Sequence, residues 1–172
     1  MSNDGNWFDR YNIRRFRNIH KKIGGYLSPA EGYEGVVEEV KHYRKNFSPE
    51  EFESKTIQTL HLLFGKFNVM LLKIFIKFSP KIVLRLFVAA TPISFRWLVG
   101  NMKRADKNSI KILYCKYLEK CGEDLCIYGC KLPTEKFFKN TVGLGIELTP
   151  NFENKSCYIT YYMLDESSSK TN

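Results

Sequence analysis

All five cysteines of this 172-residue chain lie between Cys115 and Cys157, and four of them, Cys115, Cys121, Cys126 and Cys130, fall within sixteen residues. Thiols gathered this way can do three kinds of chemistry. As thiolates they bind zinc, iron or an iron–sulfur cluster in preference to magnesium or calcium. As a pair they can cycle through a disulfide. As neutral thiols they pack like small hydrophobes. Cys126 and Cys130 are four apart, so on a helix both sulfurs share a face and could meet one metal. Cys157 could return to them from a later strand. The spacing is neither that of a zinc ribbon, with its two C-x2-C pairs, nor that of a ferredoxin. Spacing therefore leaves metal site, redox pair and buried thiols all open. His20, His42 and His61 are isolated from one another, and none is assigned as a ligand. The chain has no phosphate-cradling Gly-rich loop, no nucleophile elbow and no H-E-x-x-H motif.

The elements around the cysteines follow from periodicity and punctuation. Residues 1–32 read as a flexible basic arm that could form a short amphipathic helix over 7–22, followed by turn residues Gly24, Gly25, Pro29 and Gly32. Val36, Val37, Val40 and Tyr43 mark the apolar face of a helix over 33–46. Ser48-Pro49-Glu50-Glu51 is a capping box with proline at the first helical position, which predicts a helix from 49 to 64. Pro80 should break the next helix, and Pro92 should interrupt or restart the one after. Residues 101–108 read as a polar loop and 109–115 as a strand. The cysteine segment 117–131 reads as a loop with a short helix, and Pro133-Thr134 opens a further helix ended by Gly143. Two strands, GIELTPNF and SCYITYYML, follow with a turn at Pro150-Asn151. The tail over 165–172 is expected to be disordered. The fold class is α+β: an N-terminal helical layer, then a small three-stranded antiparallel sheet beside a cysteine-rich loop and helix. One domain over 33–164 suits this length.

Composition narrows the partners. A hydrophobic fraction of 44% and an aromatic fraction of 15% exclude wholesale disorder. The net charge of +9 favours an anionic neighbour. The start has no apolar core of a secretory signal, so reduced thiols are expected rather than disulfides. Between Glu53 and Asp106 there is no acidic residue but nine Lys or Arg, in the most apolar part of the chain. Lys66, Lys73 and Lys77 fall within about 40° of one another on a helix. They argue against a membrane span, since a central charge costs roughly 2.5–3.5 kcal/mol on insertion. One-signed charge beside apolar surface suits a helical hairpin resting on anionic headgroups. A basic nucleic-acid module with structural zinc would also explain charge and cysteines, but it has no use for LLKIFIKF.

Four stretches then appear in one order: FRWLVG at 95–100, CKYLE at 115–119, CIYGCKLPTEKFF at 126–138 and TPNFENKSC at 149–157. Together they resemble the C-terminal domain of the plant β-carotene isomerase family of strigolactone biosynthesis, the Dwarf-twenty-seven type, and its cyanobacterial and algal relatives. The family pattern is matched at Cys115, Tyr117, Leu118 and Glu119, and again at Cys126, Cys130, Lys131, Pro133 and Thr134. Matches continue at Phe137, Phe138, Gly143 and Leu144, and through Pro150, Asn151, Phe152, Glu153, Ser156 and Cys157. Cys121 precedes its glycine where the family places Gly before Cys, which sets it apart from the other four.

The resemblance implies an iron-containing enzyme, with non-haem iron or an iron–sulfur cluster, that isomerises β-carotene or a related carotenoid between all-trans and a cis form such as 9-cis. It implies Cys115, Cys126, Cys130 and Cys157 as metal ligands, and Cys126, Cys130 and Glu119 as catalytic residues. Its partners would be the carotenoid and an anionic membrane surface, without nucleic acid or an obligate protein partner. With no long targeting extension in sight, the expected place is cytoplasmic and peripheral to a membrane, of thylakoid or plastid type in a photosynthetic organism. A carotenoid carrier without turnover is the other reading of the same scaffold.

Overall fold

The structure is a computed structural model that describes residues 5–164, so the expected disordered tail lies outside the described residues. Its first helix, α1 (Trp7–Gly24), corrects the reading of the N-terminal segment as a loose arm. Asn6 caps it by accepting from the Asp9 N–H at 3.0 Å, and Gly25 closes it at φ 74°. Ile13, Phe16 and His20 recur at helical spacing and are buried. The basic residues between them hid that stripe in the sequence, because long charged side chains cover one face while the other packs.

Helix α2 (Gly32–Asn46) buries Val36, Val37, Val40 and Tyr43, as the periodicity predicts. It also buries Glu39, whose Oε1 accepts from Arg17 Nε at 2.8 Å and from the Ser28 N–H at 3.2 Å. Arg17 in turn donates to the Ser28 carbonyl at 2.7 Å. This knot ties α1, α2 and their connecting turn together. Burial raises the Glu39 pKa while Arg17 opposes the rise. Removing one member of such a buried pair costs about 3–5 kcal/mol.

Helix α3 (Pro49–Phe64) starts on the expected capping box. Glu51 N–H donates to Ser48 Oγ at 3.2 Å, and Ser48 N–H donates to Glu51 Oε2 at 3.0 Å. Gly65, at φ 76°, then turns the chain by 82° into α4 (Lys66–Phe78). Helix α5 (Pro80–Ser94) begins at Pro80, as predicted. Pro92 does not break α5, because only two residues follow it and few backbone bonds are lost. A single turn, α6 (Arg96–Val99), leads into the sheet.

The sheet has four strands rather than three, in the order β1 (Met102–Arg104), β2 (Ser109–Ile112), β4 (Ser156–Tyr162), β3 (Gly145–Asn151), all antiparallel. The extra strand is the stretch read as a polar loop. Lys103 and Arg104 make it an exposed edge, which is why its pattern looks like loop. The β3–β4 turn falls after Asn151, later than expected. Asn151 Oδ1 accepts from the Glu153 and Asn154 N–H groups at 3.1 Å each, and Lys155 takes φ 57°. Ile110, Ile112, Leu148, Ile159 and Tyr161 form the buried face.

Between β2 and β3 the chain is helical almost throughout, which corrects the expected cysteine-rich loop. Helices α7 (Lys116–Cys121), α8 (Glu123–Cys126) and α9 (Leu132–Phe137) are joined by Gly122 and by a widened π turn at Ile127–Lys131. A second π turn, Phe138–Val142, ends on Gly143 at φ 84°. Proline at 133 has no N–H to give, and the wider turn lets Leu132 N–H reach Ile127 O instead.

His20 stacks between Phe16 and Tyr43 at 4.1 and 5.0 Å, and its Nδ1 is buried without a partner. Burial holds its pKa down at about 3. A lowered folded pKa contributes stability that is full above the unfolded value near 6.5 and is lost as pH falls through the folded value. His20→Phe should therefore flatten the acid side of the stability curve. We expect wild type to lose on the order of a few kcal/mol more than the variant between pH 7 and 4, read from urea midpoints.

Candidate functional site

The helical run 116–142 and the sheet enclose a cavity of about 100 Å³ with an almost wholly apolar wall. Four of the five cysteines line it, each from a different part of the chain. Cys115 precedes α7, and its N–H donates to the Lys155 carbonyl at 2.6 Å. Cys126 ends α8, Cys130 sits in the π turn, and Cys157 lies on β4 opposite Ile112 and Pro150. Cys121 is not on this wall. The remaining wall is built by Leu60 and Phe64 of α3, Phe95 and Leu98 around α6, Phe138, and the inward residues of β3 and β4.

A second void of about 50 Å³ adjoins the first and shares Leu60, Phe95, Leu98, Cys130 and Thr134 with it. Small-molecule sites usually measure about 300–1,000 Å³, so this conformation admits a segment of a long ligand rather than its whole length.

The thiols are held in their neutral form. Burial pushes Cys126 and Cys157 up to about 12, with mutual repulsion among the cavity thiolates adding to it. Cys130 is raised well above its ordinary value for the same reasons, and Cys115 is also raised by burial. Lys131 opposes the shift at Cys126 and Cys157 without overcoming it. Among the described residues no three His, Cys, Asp or Glu side chains are drawn together closely enough to hold a metal. Thiolates suit zinc or iron, and binding of either on this wall would have to draw the sulfurs inward and release their protons.

Two polar features on the wall were missed in the sequence. Thr91 Oγ1 donates to the Phe87 carbonyl at 2.7 Å, and Tyr161 Oη lies 2.7 Å from Thr91 Oγ1. With the threonine proton already given to Phe87, Tyr161 donates and keeps a free lone pair. Its signal was available: Cys157, Ile159 and Tyr161 alternate on one face of β4. The second feature is a clamp. Lys131 Nζ donates to the Leu148 carbonyl at 2.6 Å and to Glu135 Oε1 at 2.7 Å, while the Leu148 N–H donates to Glu135 Oε1 at 2.8 Å. One ion pair thereby satisfies both backbone groups of Leu148 on the edge strand β3.

Glu119 is not brought to the cavity. It is exposed on α7, where it is hydrogen-bonded by Tyr114 and raises that phenol's pKa. Glu153 is exposed in the β3–β4 turn. His61 is exposed as well, with Nε2 3.3 Å from Thr141 Oγ1.

A family model described as beta-carotene isomerase D27-like, C-terminal, matches residues 93–170. That stretch of the chain is similar to the C-terminal domain of the D27-like family. All four cavity cysteines fall inside that stretch, whereas Phe64 and Thr91 precede it. Two relatives bear the name beta-carotene isomerase D27, chloroplastic. The protein from Medicago truncatula is 26% identical over 167 residues, covering 91% of this chain and 65% of the relative. The protein from Arabidopsis thaliana is 28% identical over 144 residues, covering 78% and 54%. The chain thus spans a little over half to two thirds of these relatives' length. No solved structure matches it.

Two outcomes test this site. A Cβ on Gly129 would sit 2.7 Å from both the Phe52 ring and Tyr117 Oη, and both aromatics are buried. Gly129→Ala should cost about 1–3 kcal/mol by overpacking, measured by denaturant unfolding. The raised thiols should also be slow to alkylate. At pH 8 iodoacetamide should label Cys126 and Cys157 of the folded protein far more slowly than the same residues in urea, by peptide mass analysis. Equal rates would contradict the burial.

Proposed function

We propose that the chain is a cis/trans isomerase of a carotenoid, β-carotene or a close relative, converting the all-trans polyene to 9-cis or another cis isomer. The observation that carries this is the apolar cavity whose wall holds Cys115, Cys126, Cys130 and Cys157, all within the D27-like stretch. The two relatives named beta-carotene isomerase support the reaction class. The isomerase-like domain spans 33–164, with α1 packed on it.

The chain's own residues do most of the binding work. Leu60, Leu98, Ile112 and Ile146 offer an apolar wall that excludes water, and burying polyene surface there gains roughly 25 cal/mol per Å². Phe64, Phe95 and Phe138 present rings to a conjugated chain, with Phe64 stacked on Phe95 at 6.3 Å and edge-on to Phe138 at 5.6 Å. The two adjoining voids suit an extended ligand, and Cys130 borders both. Tyr161 supplies one hydrogen-bond acceptor in an otherwise dry site, so an oxygenated ring end could be held there.

Rotation about a polyene double bond requires its bond order to fall for a moment. An iron held by Cys115, Cys126, Cys130 and Cys157 would supply one-electron exchange for this when bound. The proposed ligand set rests on the donor chemistry and on the shared wall. Cys126 and Cys130 are the proposed catalytic pair, because Cys126 at the end of α8 and Cys130 in the following π turn line the same cavity. Glu119 keeps a supporting place on α7 through Tyr114. The site works at an anionic membrane surface, peripheral to a plastid-type membrane, in keeping with the chloroplast names of the relatives.

Purified protein incubated with all-trans β-carotene in mixed micelles should build up a cis isomer, resolved by chromatography, beyond a heat-treated control. Cys126→Ser and Cys130→Ser should each lower the rate at least ~10-fold while circular dichroism stays native, and iron content should fall with them. Bound carotenoid without isomer change would favour the carrier, and full activity after demetallation would remove iron from the reading.

A further inference from the structure

Helices α4 and α5 each have two apolar sides, and a globular fold needs only one. On α4 the inner side is Val69, helped by the partly buried Leu72 and Ile76. Its outer side carries Phe67, Ile74 and Phe78, which fall within about 40° of one another on the helix and are all exposed, Phe78 by 78%. On α5 the inner side is Val83, Leu84 and Val88. Its outer side carries Ile82, Leu86 and Ile93, again within about 40° and all exposed, Ile93 by 69%.

Cations border both outer stripes. Lys66, Lys73 and Lys77 form a ridge on α4 about 100° from the stripe, and Lys81 with Arg85 holds the same offset on α5. All five are exposed.

The occupant follows from sign and shape. A second copy of the face would set an acid-free surface against itself and repel it. A nucleic acid would meet the cations but leave the stripes wet. An anionic bilayer satisfies both at once, with apolar side chains below the headgroups and ammonium groups on the phosphates. No helix among the described residues is alone long and apolar enough to cross a membrane, although the bent α3–α4 pair is so by length and composition together. The cations at Lys66, Lys73 and Lys77 beside the exposed stripe favour a hairpin lying in the interface.

We infer that the α4–α5 hairpin is the membrane-docking element, immersing its outer stripes in the headgroup–acyl boundary of an anionic bilayer. This deepens the membrane contact of the proposed function and rests on it for purpose alone. Phe64 and Thr91, at the two outer ends of the hairpin, both line the cavity. A lipid-dissolved substrate therefore meets the site from the bilayer side.

Vesicle co-sedimentation tests it without substrate. The protein should bind vesicles of phosphatidylcholine mixed with phosphatidylglycerol, bind phosphatidylcholine alone weakly, and lose binding as salt rises. Phe67→Ser with Phe78→Ser should abolish sedimentation. Lys73→Gln with Lys77→Gln should weaken partition roughly twentyfold, at about fivefold per cation. These side chains are exposed, so unfolding midpoints should not move. Vesicle binding that ignores both pairs, or no binding together with a soluble oligomer that Phe67→Ser disperses, would overturn the inference. Isomerisation in micelles is read separately, so a protein that isomerises but ignores vesicles sinks only the docking element. One that docks without isomerising sinks only the function.

Discussion

The shared wall of thiols depends on one constraint, the fixed distance between the helical run 116–142 and the sheet. Cys126 and Cys130 belong to the helices and Cys157 to the sheet, so nothing local keeps them on one cavity. The clamp of Lys131 and Glu135 on Leu148 does so. An edge strand has outward N–H and C=O groups that must find partners. Here the partners are side chains of the same π-turn and α9 segment that carries Cys130. Satisfying the strand and positioning the thiol are thus one interaction, and charge-assisted bonds make it stronger than a neutral pair would be.

Burial of the thiols has two effects that pull in different directions. It stabilises the fold, because neutral cysteine packs as a hydrophobe. It also keeps the sulfurs protonated and inert, with Cys126 and Cys157 pushed up to about 12. A metal reverses the second effect, since a bound cation lowers the pKa of its ligands outright. On the proposed function, thiols that pack as neutral hydrophobes would become reactive only when a cation or an equivalent partner stabilises their thiolates.

What the sequence disclosed depended on how local each signal was. The capping box at Ser48, the start at Pro80 and the stop at Gly143 are decided within one turn, and each was legible. The edge strand at Met102–Arg104 was not, because its partner lies across the sheet and its own residues are polar. Helix α1 was obscured by its basic face, and the cysteine segment by a π turn that no periodicity encodes. Within the site, the types and spacing of the cysteines were legible but their shared wall was not, since that depends on the contact of the Lys131–Glu135 segment with β3, distant in the chain. Thr91 and Tyr161 meet only through the packing of α5 on β4, seventy residues apart in the chain.

The acid-free stretch from Lys55 to Arg104 joins these features. It builds the helices that roof the cavity, and it carries the outer stripes of α4 and α5. A roof that is apolar on both sides has two consequences: it closes a dry site from within and is itself unsettled in water from without. Only Val69 anchors α4 as a fully buried residue, and α4 is jointed at Gly65 and Ser79. An element held so lightly to its own core gains more from an apolar neighbour outside than a well-buried helix would. Under the proposed docking the charge pattern selects that neighbour, because lysines without acids resist self-association and are drawn to anionic lipid. On that proposal substrate class, cavity chemistry and membrane contact become one problem, solved by leaving one helical hairpin apolar on both faces.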